Sequence, residues 1–218
     1  MPVDFDKLID KYLHRESRPK TPGRYYPSEV GGCMRKVWFS YKKPKKTEPD
    51  LLKIFEVGNI LHEFMTQVMK SEKTSEVELL DSEIPFKLDL GDFIVSGRVD
   101  GMFLVRENGK VVLLEVKTTK NVDWTKQPQE SHKMQLQLYM HSLGVKSGIL
   151  LYIQKDNLKS KSFPMEYDEK EAGDIISRFR KLHEHIKNDT VPEAEAKTRE
   201  EMKWLCNYCD YADECSSA

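Results

Sequence analysis

The chain has 218 residues, of which 39% are hydrophobic and 10% aromatic, enough for a packed core and too many for a disordered chain. Its 35 basic and 36 acidic side chains leave a formal net charge of -1, which excludes a global positive field as the means of gripping nucleic acid. No apolar run approaches the roughly 20 residues of a membrane-spanning helix. The acidic, amphipathic start "MPVDFDKLID" also lacks the basic opening and apolar stretch of a secretory signal, so a soluble cytoplasmic protein with no membrane partner is expected.

In chain order, "FDKLIDKYL" places Phe5, Leu8, Ile9, Tyr12 and Leu13 on one face of a predicted helix. A polar connector, "RPKTPGRYYP", leads to a short helix carrying Cys33. Asp50 is placed to cap a long helix over 51–70, with Ile54, Val57, Leu61, Phe64 and Val68 as its buried stripe. The period then changes to two: "EIPFKLDL", "FIVSGRVDGMFLV" and "VVLLEVKTT" read as strands, the last two joined through "ENGK". Helix returns in "ESHKMQLQLYMHSLG" and ends at Gly144. "GILLYIQ" reads as a buried strand, and "KSFPMEY" as an edge strand because Pro164 cannot donate to a ladder. Asp168 caps a last long helix to about Lys187, and a loop with Pro192 precedes "CNYCDYADEC". The order of elements predicts an α/β (α+β) domain with a central mixed β-sheet flanked by helices.

Asn108-Gly109 suits a two-residue type I′ turn, in which both positions need positive φ. In that register Glu107 pairs with Lys110, Met102 faces Glu115 and Asp100 faces Lys117. Opposed residues project to the same side of a sheet. Asp100, Glu115 and Lys117 are therefore expected on one face, and Val99, Phe103, Leu114 and Val116 on the other. Two neighbouring carboxylates repel unless a positive charge lies between them. Oxygen ligands of this kind suit Mg²⁺ or Mn²⁺; a surface salt bridge among the three side chains is the alternative. The four cysteines, Cys33, Cys206, Cys209 and Cys215, read in a reducing compartment as metal ligands or redox thiols rather than disulfides.

Asp100 followed by Glu115-Val116-Lys117 resembles the core of the PD-(D/E)XK nucleases. Gly58 and His62 at G-x-x-x-H spacing upstream, and Gln135 and Tyr139 at Q-x-x-x-Y spacing downstream, are similar to the RecB-like branch. One cysteine before the core and three after it resemble the iron–sulfur nucleases of that branch: the AddB-type recombination nucleases and the CRISPR-associated RecB-like exonucleases. The small size and lack of helicase motifs favour the latter.

The resemblance covers nearly the whole chain and implies a restriction-endonuclease-like fold in three parts. Residues 1–50 form an N-terminal helical segment with the first cluster cysteine, 51–188 the nuclease core and 189–218 the C-terminal cysteine segment, closed as one compact unit by an Fe–S clasp. It implies that His62, Asp100, Glu115 and the Val116 carbonyl hold Mg²⁺ or Mn²⁺, while Gly58 leaves room for a close backbone approach. Lys117 would position or deprotonate the attacking water, and Gln135 and Tyr139 would contact the scissile strand. Cys33, Cys206, Cys209 and Cys215 would bind an iron–sulfur cluster, [4Fe–4S] in most relatives, with zinc or free thiols as the alternatives. The basic residues Arg35, Lys36, Lys42 and Lys43 would track a DNA backbone.

The implied activity is metal-dependent exonucleolytic cleavage of single-stranded DNA, 5′ to 3′, trimming prespacer ends beside the CRISPR integrase subunits. A stand-alone viral or repair nuclease and a catalytically silent DNA-binding adaptor are the competing expectations.

Overall fold

The computed structural model describes residues 3–14 and 19–217. Its elements in chain order are helix α1 (Phe5–Leu13), strand β1 (Arg24–Tyr25), α2 (Met34–Lys42), α3 (Pro49–Lys70), β2 (Val77–Asp89), β3 (Ile94–Val105), β4 (Lys110–Thr119), α4 (Glu130–Leu143), β5 (Ser147–Gln154), β6 (Ser160–Glu166), α5 (Glu169–Lys187), α6 (Glu195–Thr198) and α7 (Ala212–Ser216). The strands form one mixed sheet in the order β1-β3-β4-β5-β6, with β2 along the other edge of β3. β4 and β5 run parallel through the α4 crossover, whereas β2–β3, β3–β4 and β5–β6 are antiparallel. The expected fold class is therefore found, and β6 with its Pro164 is the predicted edge strand.

Two layers of helix cover this sheet. On one face α3 contributes Leu61 and Met69 to a core with Phe103, Val112, Leu114 and Val116. On the other, α4 is buried on both sides: Leu136, Tyr139 and Met140 pack on Leu113 and Leu150 of the sheet, while Leu138 meets the core built by α2 and α5. That double burial is why Gln137, only 2% exposed, needs internal partners; it donates to the Glu166 carbonyl (2.9 Å) and accepts from the Asp168 N–H (3.0 Å). Gly144, at φ +68°, ends α4 in the left-handed cap that the sequence predicts.

The β3–β4 hairpin corrects the predicted register. Its loop has four residues, 106–109, rather than two, so Val105 pairs with Lys110 and Gly101 with Leu114. Gly109 does hold positive φ (+67°), but Asn108 does not, so the two-residue type I′ turn is not formed. The two-residue slip preserves which β4 side chains share a face and moves Asp100 two positions nearer the start of β4.

The long helix departs from expectation as well. It is capped at Glu48 with Pro49 in its first turn, so Asp50 is inside the helix and not its cap. Only Leu61 and Met69 of α3 are buried; Ile54, Val57 and Phe64 of the predicted buried stripe are exposed and Val68 is half-buried, because the helix meets the core of the sheet through Leu61, Met65 and Met69. The stretch with Pro192 read as a loop contains α6, and the cysteine segment that follows is carried by a 3-10 run over Glu200–Tyr208 and by α7.

Candidate active site and cysteine clasp

A gap in the sheet creates the site. β2 pairs with β3 from Ile94 to Val105. On the opposite edge β3 meets β1 only at 94–95 and β4 only at 101–105. Residues 96–100 therefore face no strand on that edge among the described residues, and β3 and β4 diverge like a fork. At the same level β2 is irregular: Glu83, opposite Asp100, has φ +54°, a conformation costly for a side chain with a Cβ. The alternation of β3 breaks there. Val99 packs with Phe86 and Leu113 on the α4 face, whereas Phe103 lies on the α3 face with Leu114 and Val116, which corrects the expectation that all four share one side.

The same break turns Asp100 into the fork. Its Oδ2 accepts the Val116 N–H at 2.6 Å, taking the place of the missing ladder partner. Its Oδ1 lies 3.3 Å from His62 Nδ1, brought in by α3. Burial works to lower the His62 pKa, but the Asp100 hydrogen bond and the charges of Asp100 and Glu115 outweigh it, and the net shift is upward.

Glu115 follows on β4 and is 2% exposed. Its Oε1 pairs with Lys117 Nζ at 2.7 Å, and its Oε2 is buried with no hydrogen-bond partner among the described residues. Burial raises the Glu115 pKa first, and the Asp100 carboxylate raises it further, against the opposing pull of Lys117 and His62. A buried carboxylate oxygen without a partner, under the charge of a second carboxylate, is a costly arrangement in a chain alone. A divalent cation would relieve both the repulsion and the missing partner, so the donor set fits a hard metal ion.

From Glu115 a polar relay runs to α4. Lys117 Nζ donates to Gln135 Oε1 at 3.0 Å, and Gln135 Nε2 donates to the Tyr139 hydroxyl at 2.8 Å. The Q-x-x-x-Y pair thus shares a helix face as predicted, and it reaches the lysine directly. Burial, helped by the Glu115 charge, raises the Tyr139 pKa and keeps its phenol protonated.

Two neighbours of this relay escaped the sequence reading. Tyr152 on β5 stands in register with Lys117. Its hydroxyl accepts the Gln129 N–H (3.0 Å), leaving its proton for His132 Nδ1 at 2.7 Å. Burial, then the charge of Lys117, lowers the His132 pKa to about 3, so its imidazole is neutral. The available signals were His132 one helical turn before Gln135 and a hydroxyl inside the apolar run "GILLYIQ".

All four cysteines line one cavity of about 280 Å³, although they come from opposite ends of the chain. Cys33 is the buried residue that begins α2, and Cys206, Cys209 and Cys215 come from the C-terminal segment. Desolvation raises the Cys206 pKa first, and each of the other three thiols adds to it, a sign of four sulfurs sharing one electrostatic environment. Soft, mutually repelling thiolates around a cavity fit a thiophilic metal or cluster. Among the described residues, however, no three His, Cys, Asp or Glu side chains are drawn together closely enough to hold an ion as they stand, either here or at the fork.

The cavity is framed by a protein clasp that the sequence reading also missed. Arg178 of α5 makes a two-pronged pair with Glu195 of α6, both contacts at 2.5 Å. It also donates to the carbonyls of Val30 (2.7 Å) and Gly32 (2.8 Å), and Glu195 accepts the Met34 N–H (2.8 Å). These bonds hold the loop bearing Cys33 from both sides.

The basic run is largely engaged in the same region. Arg35 donates to the Pro192 carbonyl at 2.7 Å and lies 3.8 Å from Cys215 Sγ; Lys36 pairs with Asp210 (3.2 Å) and Lys42 with Asp189 (2.7 Å). Lys43 lies over the Phe39 ring. Gly58 borders open space: among the described residues a Cβ there would meet nothing within 4 Å, so none of them uses the close approach that glycine permits.

The sequence pattern of the PD-(D/E)XK nuclease superfamily matches residues 56–216. The CRISPR-associated exonuclease Cas4 of Saccharolobus solfataricus is 26% identical over 216 residues, covering 96% of this chain and 94% of that protein. The crystal structure of SSO0001 superposes with a TM-score of 0.67 at 22% identity, covering 95% of this chain and 94% of that one. That of LHK-Exo, an alkaline exonuclease from Laribacter hongkongensis in complex with dAMP, gives a TM-score of 0.51 at 14% identity, covering 90% and 96%. At these identities the two solved structures speak for the fold alone. No helix among the described residues is long and apolar enough to cross a membrane.

Proposed function

This chain belongs to the PD-(D/E)XK nuclease superfamily, and from that premise we propose that it is a Mg²⁺- or Mn²⁺-dependent exonuclease acting on single-stranded DNA ends. One observation carries the reading: the unpartnered, buried Oε2 of Glu115 beside Asp100 and Lys117 in the fork of the sheet. His62, Asp100, Glu115 and the Val116 carbonyl are the groups that would hold the ion. When bound, the cation supplies a lower pKa for a coordinated water and charge stabilisation for the phosphate under attack.

The side chains account for the rest. Lys117 is held between Glu115 and Gln135, so its ammonium is oriented before substrate arrives, ready for a phosphate oxygen or the attacking water. Gln135 is held by Tyr139, and this pair supports the lysine while offering polar edges to the strand. His132, neutral and tied to Tyr152, adds no competing positive charge beside Lys117.

The likeness to a CRISPR-associated exonuclease supports a place in prespacer-end trimming, 5′ to 3′, beside the integrase subunits. The cavity shared by Cys33, Cys206, Cys209 and Cys215 supports an iron–sulfur cluster, [4Fe–4S], as a clasp between residues 1–50 and 189–218 around the core at 51–188.

A time course with 5′- and 3′-labelled single-stranded DNA in Mn²⁺ tests the site. The wild type shortens the DNA from the 5′ end, and Lys117→Ala and Glu115→Ala leave it intact. Digestion by both variants would reject the assigned residues. Iron and labile sulfide in anaerobically purified protein test the clasp, and stoichiometric zinc without sulfide would end the cluster reading.

A further inference from the structure

The loop between β4 and α4 carries an indole that the fold leaves in water. Trp124 is 81% exposed, yet the loop around it is fastened at three points. The buried Val122 donates its N–H to Gln154 Oε1 (3.0 Å), the Thr125 carbonyl accepts from Lys161 Nζ (2.9 Å), and the Gln129 N–H is held by the Tyr152 hydroxyl (3.0 Å). Residues 120–129 thus present Trp124 from a fixed frame whose two feet stand at the site, one just after Lys117 on β4 and the other just before His132 on α4.

Lysines without acidic partners gather at the same rim. The turn between β5 and β6 meets the loop, because the Lys155 N–H donates to the Thr119 carbonyl (3.1 Å) and Lys161 reaches Thr125. Residues 120–129 and 155–161 carry Lys120, Lys126, Lys155, Lys159 and Lys161 against Asp123 and Asp156. Among the described residues none of these lysines is in an ion pair, whereas Lys36 and Lys42 of the basic run are. Lys117, Tyr152 and Lys161 stand in register on β4, β5 and β6, so two strand spacings, about 10 Å, separate Lys117 from this rim.

Building on the nuclease reading above, we infer that Trp124 stacks on a base of the single-stranded DNA while Lys120 and Lys126 hold its phosphates beside the fork. An exposed indole accepts the face of any unpaired base, and unneutralised ammonium groups complement a phosphate backbone. A duplex keeps its base faces inside its own stack, so this rim selects single strands.

Anisotropy of a fluorescein-labelled oligothymidylate in EDTA measures binding apart from cleavage. Trp124→Ala is expected to raise Kd about 5- to 150-fold, and Trp124→Phe, which keeps a ring, by less. On an oligomer of abasic sites, which has the phosphates without the bases, Trp124→Ala and the wild type are expected to bind alike. Lys120→Ala with Lys126→Ala is expected to flatten the slope of log Kd against log salt by about 1.4. Trp38 is buried, so a Trp204→Phe chain leaves Trp124 as its exposed indole, and DNA is expected to quench the fluorescence. Circular dichroism and melting check that each variant folds. Unchanged affinity in folded Trp124→Ala, an equal loss on the abasic oligomer, an unaltered salt slope or an unquenched indole overturns the inference, and digestion by the wild type in Mn²⁺ would then leave the nuclease reading standing. Binding through Trp124 without digestion supports the stacking site and overturns the nuclease reading instead.

Discussion

Arg178→Ala is the sharpest structural perturbation the molecule offers. It leaves Glu195, only 6% exposed, without its two-pronged partner, and removes the donors to the Val30 and Gly32 carbonyls. Burial works to raise the Glu195 pKa, but the Arg178 hydrogen bonds and the Met34 N–H outweigh it, and the net shift is downward. The paired carboxylate therefore contributes stability that is present above its unfolded-state pKa and is lost as pH falls through the lower folded value. Breaking a buried pair by deleting one partner costs about 3–5 kcal/mol. At about 2–4 °C per kcal/mol for a chain of this size, the melting temperature falls by roughly 6–20 °C at pH 7. Arg178→Lys keeps the charge but loses the fork, so an intermediate loss is expected. Urea unfolding at pH 7, followed by circular dichroism, measures both. A loss below about 1 kcal/mol in Arg178→Ala would refute the view that this pair holds the Cys33 loop.

Three further outcomes follow from the same geometry. Mn²⁺ at millimolar concentration is expected to raise the melting temperature of the wild type and leave Glu115→Gln unchanged; an equal rise in both removes Glu115 from the ligand set. The folded-state pKa of His132, about 3, lies below its ordinary value near 6.5, so the unfolded chain binds the extra proton first and stability falls as pH drops below about 6.5. His132→Asn, which keeps an acceptor for Tyr152, flattens that fall by at most about 1.4 kcal/mol per pH unit, and an unchanged slope in urea titrations at pH 5 and 6.5 contradicts the assignment. Gly144→Ala places a Cβ at φ +68° and is expected to cost about 1 kcal/mol in urea unfolding, whereas a neutral result would mean that the α4 cap relaxes freely.

Much of this protein is written in local pattern. The change from period 3.6 to period 2, the Gly144 stop and the Pro164 edge located the main elements, because each depends on neighbours within a few residues. The order of His62, Asp100, Glu115, Lys117, Gln135 and Tyr139 pointed to one superfamily, and four well-spaced cysteines pointed to one cavity. The tertiary structure alone decided how those residues meet. A four-residue hairpin loop and the irregular backbone at Glu83 turned Asp100 into the fork, and no local rule counts loop residues or foresees a missing ladder partner. Arg178 with Glu195, and His132 with Tyr152, join residues far apart in sequence, so no spacing announces them. The apolar stripe of α3 was legible, yet which of its side chains met core and which met solvent depended on how the helix seats on the sheet, and that is settled only when the whole chain has packed.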